Sequence, residues 1–146
     1  MTIRATLLKE LVSRIDALDD WTAALRGKSN TVASGAHAIV YQDAEDKRFA
    51  NSNAYQATLR VIVLVTVRVE DADAIIDEGN GYLYLDRRVG EIEAVVHSPD
   101  SWGASPLFND VMVTGHDVMD PERETELMAR VFVDFKYRHD YQDPSA

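Results

Sequence analysis

The chain contains no cysteine, which excludes a disulfide framework, thiolate metal sites and a cysteine nucleophile. Positive charge is scarce: 15 lysines and arginines face 25 aspartates and glutamates, for a formal net charge of -10. Coulomb repulsion therefore disfavours sequence-independent binding to nucleic-acid phosphate. Long apolar runs are lacking as well. The longest, Val61 to Val65, is far too short to span a bilayer, and Met1 to Asp20 lacks the uninterrupted apolar core of a signal peptide. The expectation is a protein neither exported by a conventional signal nor embedded in a membrane.

Signatures of chemistry are equally sparse. His37, His97, His116 and His139 are scattered, and no two of them stand at metal-ligand spacing. His116 with Asp117, and His139 with Asp140, are adjacent pairs whose side chains point to opposite faces of a strand, so neither forms a dyad by itself. Gly79 and Gly81 bracket Asn80 without the dinucleotide fingerprint or the Lys-Ser/Thr ending of a triphosphate loop, and read as a turn. Asp71, Asp73, Asp77 and Glu78 do not follow the spacing of a calcium loop and read as a solvated acidic face. The sequence predicts no catalytic residue, no cofactor and no metal.

What the chain does have is periodicity. With 146 residues, 46% hydrophobic and 27% charged, it can bury one continuous core, so a single domain is expected over residues 1–142, followed by a short disordered tail, Asp143 to Ala146. From Ile3 to Leu18 the apolar residues Leu7, Leu8, Leu11, Val12, Ile15 and Leu18 recur at helical spacing. Thr2 or Thr6 suits the start of this helix. Gly27 suits a helical end that follows Trp21 to Leu25. Ala36 to Gln42 reads as a short strand and Asp43 to Asn53 as a long surface loop.

The strongest pattern follows. Every odd position from Tyr55 to Val69 is apolar, while the even positions include Gln56, Thr58, Arg60, Thr66 and Arg68, the alternation of a half-buried strand. Ile62 and Leu64 add apolar character to its second face. At about 3.3 Å per residue the run reaches roughly 50 Å, more than a domain of this size needs, so part of it is expected to project toward another subunit.

Tyr82, Leu85, Val89, Ile92 and Val96 then follow helical spacing, with Asn80 as a cap and Pro99 just beyond the end. Ser98 to Pro106 reads as a loop, Val111 and Val113 as a strand, and Asp120 with Pro121 as a turn. Leu127 to Tyr137 forms a final alternating strand with Tyr137 in the core. Trp102 and Phe108 are aromatic candidates for interface anchors. The expected fold is α+β: a four-stranded antiparallel sheet with two helices packed on one face, in the order α-β-β-α-β-β.

This order of features resembles the tail terminator family of long-tailed bacteriophages and gene transfer particles, from Ile3 to about Tyr141. The resemblance is carried by "RIDALDDW" closing the first helix, the strand "YQATLRVIVLVTVRVEDAD" running into an acidic segment, the helix "YLDRRVGEIEAVVHS", and the closing strand "ELMARVFVDFKYRHDY". It implies a non-enzymatic subunit of the virion tail, assembled in the host cytoplasm. Such subunits form a hexameric ring that caps the tail tube, stops its elongation and provides the docking surface for the head connector. DNA passes through that ring without being specifically bound, so Glu70, Asp71 and Asp73 become candidates for an acidic lumen. The segment Asp43 to Asn53 becomes a candidate contact surface, with Tyr41, Lys47, Arg48, Phe49, Trp102 and Phe108 as candidate assembly residues. Three other readings share the pattern: a head-tail adaptor or neck protein, a small-molecule-binding module or enzyme with a cleft between sheet and helices, and a plain structural subunit of an unrelated assembly.

Overall fold

The computed structural model describes residues 2–27, 35–51, 54–68, 81–98, 102, 108–119 and 126–140. Helix α1 (Ile3–Asp16) starts at Thr2, whose side-chain oxygen accepts a hydrogen bond from the Ala5 backbone N–H at 3.1 Å. Such a cap is worth about 1 kcal/mol. Ile3, Leu7, Leu11 and Ile15 form its buried stripe.

Strands β1 (Trp21–Leu25), β2 (Ala36–Asn51) and β3 (Ala54–Arg68) follow, then helix α2 (Gly81–Val96) and strands β4 (Phe108–Met119) and β5 (Glu126–Asp140). They form one five-stranded sheet in the order β1-β2-β3-β5-β4. β1 runs parallel to β2, and every other pairing is antiparallel. The expected four-stranded antiparallel sheet is therefore corrected to a five-stranded mixed one, with an extra strand between the first helix and the expected first strand.

That extra strand arises where the chain leaves α1. Asp20 adopts φ 64, a left-handed conformation that stops any helical continuation toward Gly27. Trp21, Ala23 and Leu25 then alternate toward the helical side, and all three join the core or pack against it. A five-residue run is too short for its periodicity to separate strand from helix. The Asp20 carbonyl accepts from the Ala36 backbone N–H at 3.1 Å, joining the starts of β1 and β2. Gly35 has φ +83, and a Cβ there would lie 2.6 Å from that carbonyl, so only glycine lets the two segments approach.

The second correction concerns residues 43–53. The described part of the expected surface loop, residues 43–51, continues β2, and the pairing passes from Gln42↔Val61 to Ala44↔Arg60. Asp43 is thus the extra residue of a β-bulge, and it exchanges the faces of everything after it. Ala36, Ala38 and Val40 point to the helical side before the bulge; Glu45, Lys47 and Phe49 do so after it. A polar sequence interrupted by a parity switch carries no alternation to read.

Both helices lie on one face of the sheet. Ala57, Leu59, Val61, Val63, Val65 and Val67 of β3 and Ala129, Val131, Val133 and Phe135 of β5 share a core with the α1 stripe and with Leu85, Val89, Ile92 and Val96 of α2. Fully burying a side chain of this size contributes roughly 1.5–3 kcal/mol, so this layer dominates stability. Tyr137 is in the core, as its parity predicts. The helices span about 21–24 Å, whereas β3 and β5, at 15 residues each, span about 50 Å. The sheet outruns its helical layer.

Candidate assembly interface

The overrun lies at the β2–β3 hairpin end. On the helical side three cross-strand rows close the sheet there: Glu45–Leu59–Phe135, Lys47–Ala57–Tyr137 and Phe49–Tyr55–His139. Glu45 sits at the edge of the helical layer with its side chain 7% exposed. Nη1 of Arg4 lies 3.3 Å from both of its carboxylate oxygens and Nζ of Lys47 lies 3.4 Å away. Burial, and then the neighbouring Glu45 carboxylate, push the Tyr137 hydroxyl well above its ordinary pKa, so it remains a proton donor. This cluster fastens the first turn of α1 to the hairpin.

Beyond it the rings form a chain of contacts. The Phe49 ring stacks on Tyr55 with centroids 4.9 Å apart, Tyr55 meets His139 at 5.3 Å, and His139 meets Tyr137 at 5.9 Å. Nζ of Lys47 stands 5.7 Å from the Tyr55 ring. Phe49, at the outer end, is 68% exposed. The hairpin end thus presents to solvent an aromatic ring that is already held in a stack.

The opposite face of the sheet is packed by neither helix. Its rows at the same end are Ala44–Arg60–Asp134, Asp46–Thr58–Lys136 and Arg48–Gln56–Arg138. Nε of Arg60 reaches Asp134 at 3.3 Å. A groove of about 260 Å³ runs between Asp46, Arg48, Gln56, Thr58 and Lys136. Farther along this face, the Arg26 guanidinium lies 4.8 Å from the Tyr41 ring. Arg130 grips Asp117 with two bonds, 3.0 and 2.6 Å, and holds that carboxyl below its usual pKa. Ile62 is 5% exposed here, so the apolar second face expected at mid-strand exists.

At the other end of the sheet a buried arginine ties α2 to the α1–β1 turn. Nη2 of Arg88 reaches Asp20 at 2.8 Å and the Tyr84 hydroxyl at 3.0 Å, while Nη1 reaches Glu91 at 3.2 Å. Glu91 also accepts from Nε1 of Trp21 at 2.7 Å. Burial works against the Arg88 charge, but the bond to Tyr84 and the carboxylates of Glu91 and Asp20 outweigh it, and its pKa is raised.

Of the residues expected at an assembly surface, the structure gathers Lys47, Arg48 and Phe49 at the hairpin end, with Arg48 on the opposite face from the other two. Tyr41 lies on the open face nearer the middle of the sheet. Trp102 is buried, edge-on to Phe135 with the Arg14 guanidinium 4.0 Å above its ring, so it covers the core. Phe108 opens β4 opposite Tyr137. Glu70, Asp71 and Asp73 lie outside the described residues, as do Asp77, Glu78, Gly79, the Asn80 cap, Pro99, most of the Ser98–Pro106 loop, the Asp120–Pro121 turn and the tail Asp143–Ala146.

Sequence reasoning missed the Arg4–Glu45–Tyr137 and Arg88 clusters. The first joins residues 41 apart through a bulge and leaves no local signal. The second did leave one, a charged residue within the apolar stripe of α2 beside Tyr84, Leu85 and Val89. Of the histidines, His97 accepts at Nε2 from the Val113 backbone N–H at 3.1 Å, and Nδ1 of His116 lies 3.7 Å from Glu93. Among the described residues no group of three or more His, Asp or Glu side chains is placed to hold a metal ion. In comparisons with known proteins, no family model matches the chain and no curated protein is significantly similar to it.

Proposed function

We propose that this chain is a ring-forming structural subunit of the tail terminator type. It caps a tail tube, halts elongation and offers its other surface to the head connector, while DNA crosses the ring without specific binding. The observation that carries this reading is the sheet that outruns its helices and ends in an exposed, pre-stacked aromatic ring at Phe49. A sheet that is covered by helices on one face only, and whose hairpin end runs past Ala57, the last β3 residue in the core, has more edge and face than its own core consumes, as a subunit of a larger assembly needs. The lumen is assigned to the acidic run Glu70, Asp71 and Asp73, and the tube contact to the helical-side hairpin residues Lys47 and Phe49.

The test is the mass of the purified chain, alone and mixed with its tail-tube protein, by light scattering with negative-stain imaging. Rings, or short tubes capped at one end, are the expected result. A monomer that ignores tube protein overturns the reading, and a ring that binds only the head-side connector converts it to a head-tail adaptor.

A further inference from the structure

Charge is distributed unevenly along the sheet. At the hairpin end of the open face, Arg48, Lys136 and Arg138 stand beside the amide of Gln56 and the hydroxyl of Thr58, with two opposing carboxylates, Asp46 in the groove and Asp110 across from Lys136, so that the cations outnumber the anions. This is a cationic surface on a chain of net charge -10. At the other end the α1–β1 corner carries Asp16, Asp19 and Asp20, all exposed. The carbonyl end of α1 points there too and adds partial negative charge. Two cations at this corner are committed: Arg88 is buried against Asp20, Glu91 and Tyr84, and Arg14 turns to Glu10 and Trp102.

The two surfaces cannot meet within one molecule. The groove row contains Gln56 and the corner row contains Val67, opposite Ala36 and Trp21, a separation of about 36 Å along β3. Groove-to-groove pairing of two copies would concentrate like charge, because Arg48, Lys136 and Arg138 outnumber Asp46 and Asp110.

We infer that the cationic groove between β2, β3 and β5 is the docking surface for the acidic α1–β1 corner of a second copy of this chain. The contact is head-to-tail and therefore closes into a ring or propagates. The inference rests on the proposed ring-forming role and supplies its subunit contact.

The test uses charge reversal on the full chain, read by sedimentation velocity at low salt with melting curves to confirm folding. One variant carries Arg48→Glu with Lys136→Glu, the other Asp16→Lys with Asp19→Lys. Each alone should lose at least tenfold in association constant, and 0.5 M salt should weaken the natural chain in the same direction. An equimolar mixture of the two variants should recover association, because every contact in an alternating array again joins opposite charges. A mixture that stays dissociated overturns the inference, as does a natural chain that is monomeric at low salt. Reversal of the groove that abolishes binding to duplex DNA and leaves self-association unchanged overturns it in favour of nucleic acid. If the variants behave as expected but the assembled chain ignores tail-tube protein, the head-to-tail contact stands and the terminator role falls.

Discussion

Replacing Arg88 by methionine removes a buried cation and keeps most of its aliphatic volume. Three groups lose the guanidinium at once: the Tyr84 hydroxyl, Glu91 and Asp20. Breaking a fully buried ion pair costs about 3–5 kcal/mol. Here the Glu91 and Asp20 side chains are 30% and 48% exposed and regain water when the guanidinium leaves, which reduces the expected loss to about 2–3 kcal/mol. For a chain of this length that corresponds to a fall in Tm of about 7–10 °C. Calorimetry or chemical denaturation of Arg88→Met measures it. A double-mutant cycle with Glu91→Gln, which keeps the acceptor for Trp21, should give a coupling of about 1 kcal/mol or more. A loss under about 1 kcal/mol for Arg88→Met would show that apolar packing alone holds α2 to the α1–β1 turn.

Gly35→Ala should destabilise by about 2 kcal/mol or more, since it combines a positive φ with a Cβ 2.6 Å from the Asp20 carbonyl; thermal melting checks this. Phe49→Ser should leave monomer stability within about 0.5 kcal/mol, because the ring is 68% exposed. It should weaken assembly on tube protein by an order of magnitude or more if the ring is an anchor. Asp117→Asn tests the Arg130 pair. The folded-state pKa of Asp117 is lowered, so its contribution is present above the unfolded value of about 3.9 and is lost as pH falls through the folded one. The variant should therefore lose less stability than the natural chain on acidification below about pH 4. The difference should be small and should vanish in high salt, since both side chains are exposed by 40% or more.

The elements with long, uninterrupted periodicity were legible in the sequence. α1, α2, β3 and β5 follow their 3.6- or 2-residue patterns, except that Tyr82, expected on the inner stripe of α2, is exposed and Tyr84 is buried instead; the inward parity of Val61, Val63, Val65 and Tyr137 is that of the structure. β1 was not legible, because five residues beginning with a tryptophan fit either a helix end or an edge strand. What separates them is the left-handed Asp20 and the partner strand it meets at Ala36. The second half of β2 was hidden for another reason: Asp43 adds one residue, reverses the faces, and delivers a buried Glu45 where an apolar side chain would have marked a strand. The candidate surface was legible in part. Lys47, Arg48 and Phe49 stand out by type, but their division between two faces, and the pairing of Arg48 with Arg138 across β3, are consequences of register alone.

The overrun of the sheet also separates how far the molecule reaches from how well it folds. Removing two residues from each strand at the hairpin end, with the matching two from the end of β5, would shorten the reach by about 7 Å and keep every remaining side chain on its own face. Removing one from each would turn the end of the sheet inside out relative to the helices. Reach can thus change in discrete steps while α1, α2 and the core beneath them stay as they are, so partners of different diameter are accessible to one fold through paired deletions at a single end.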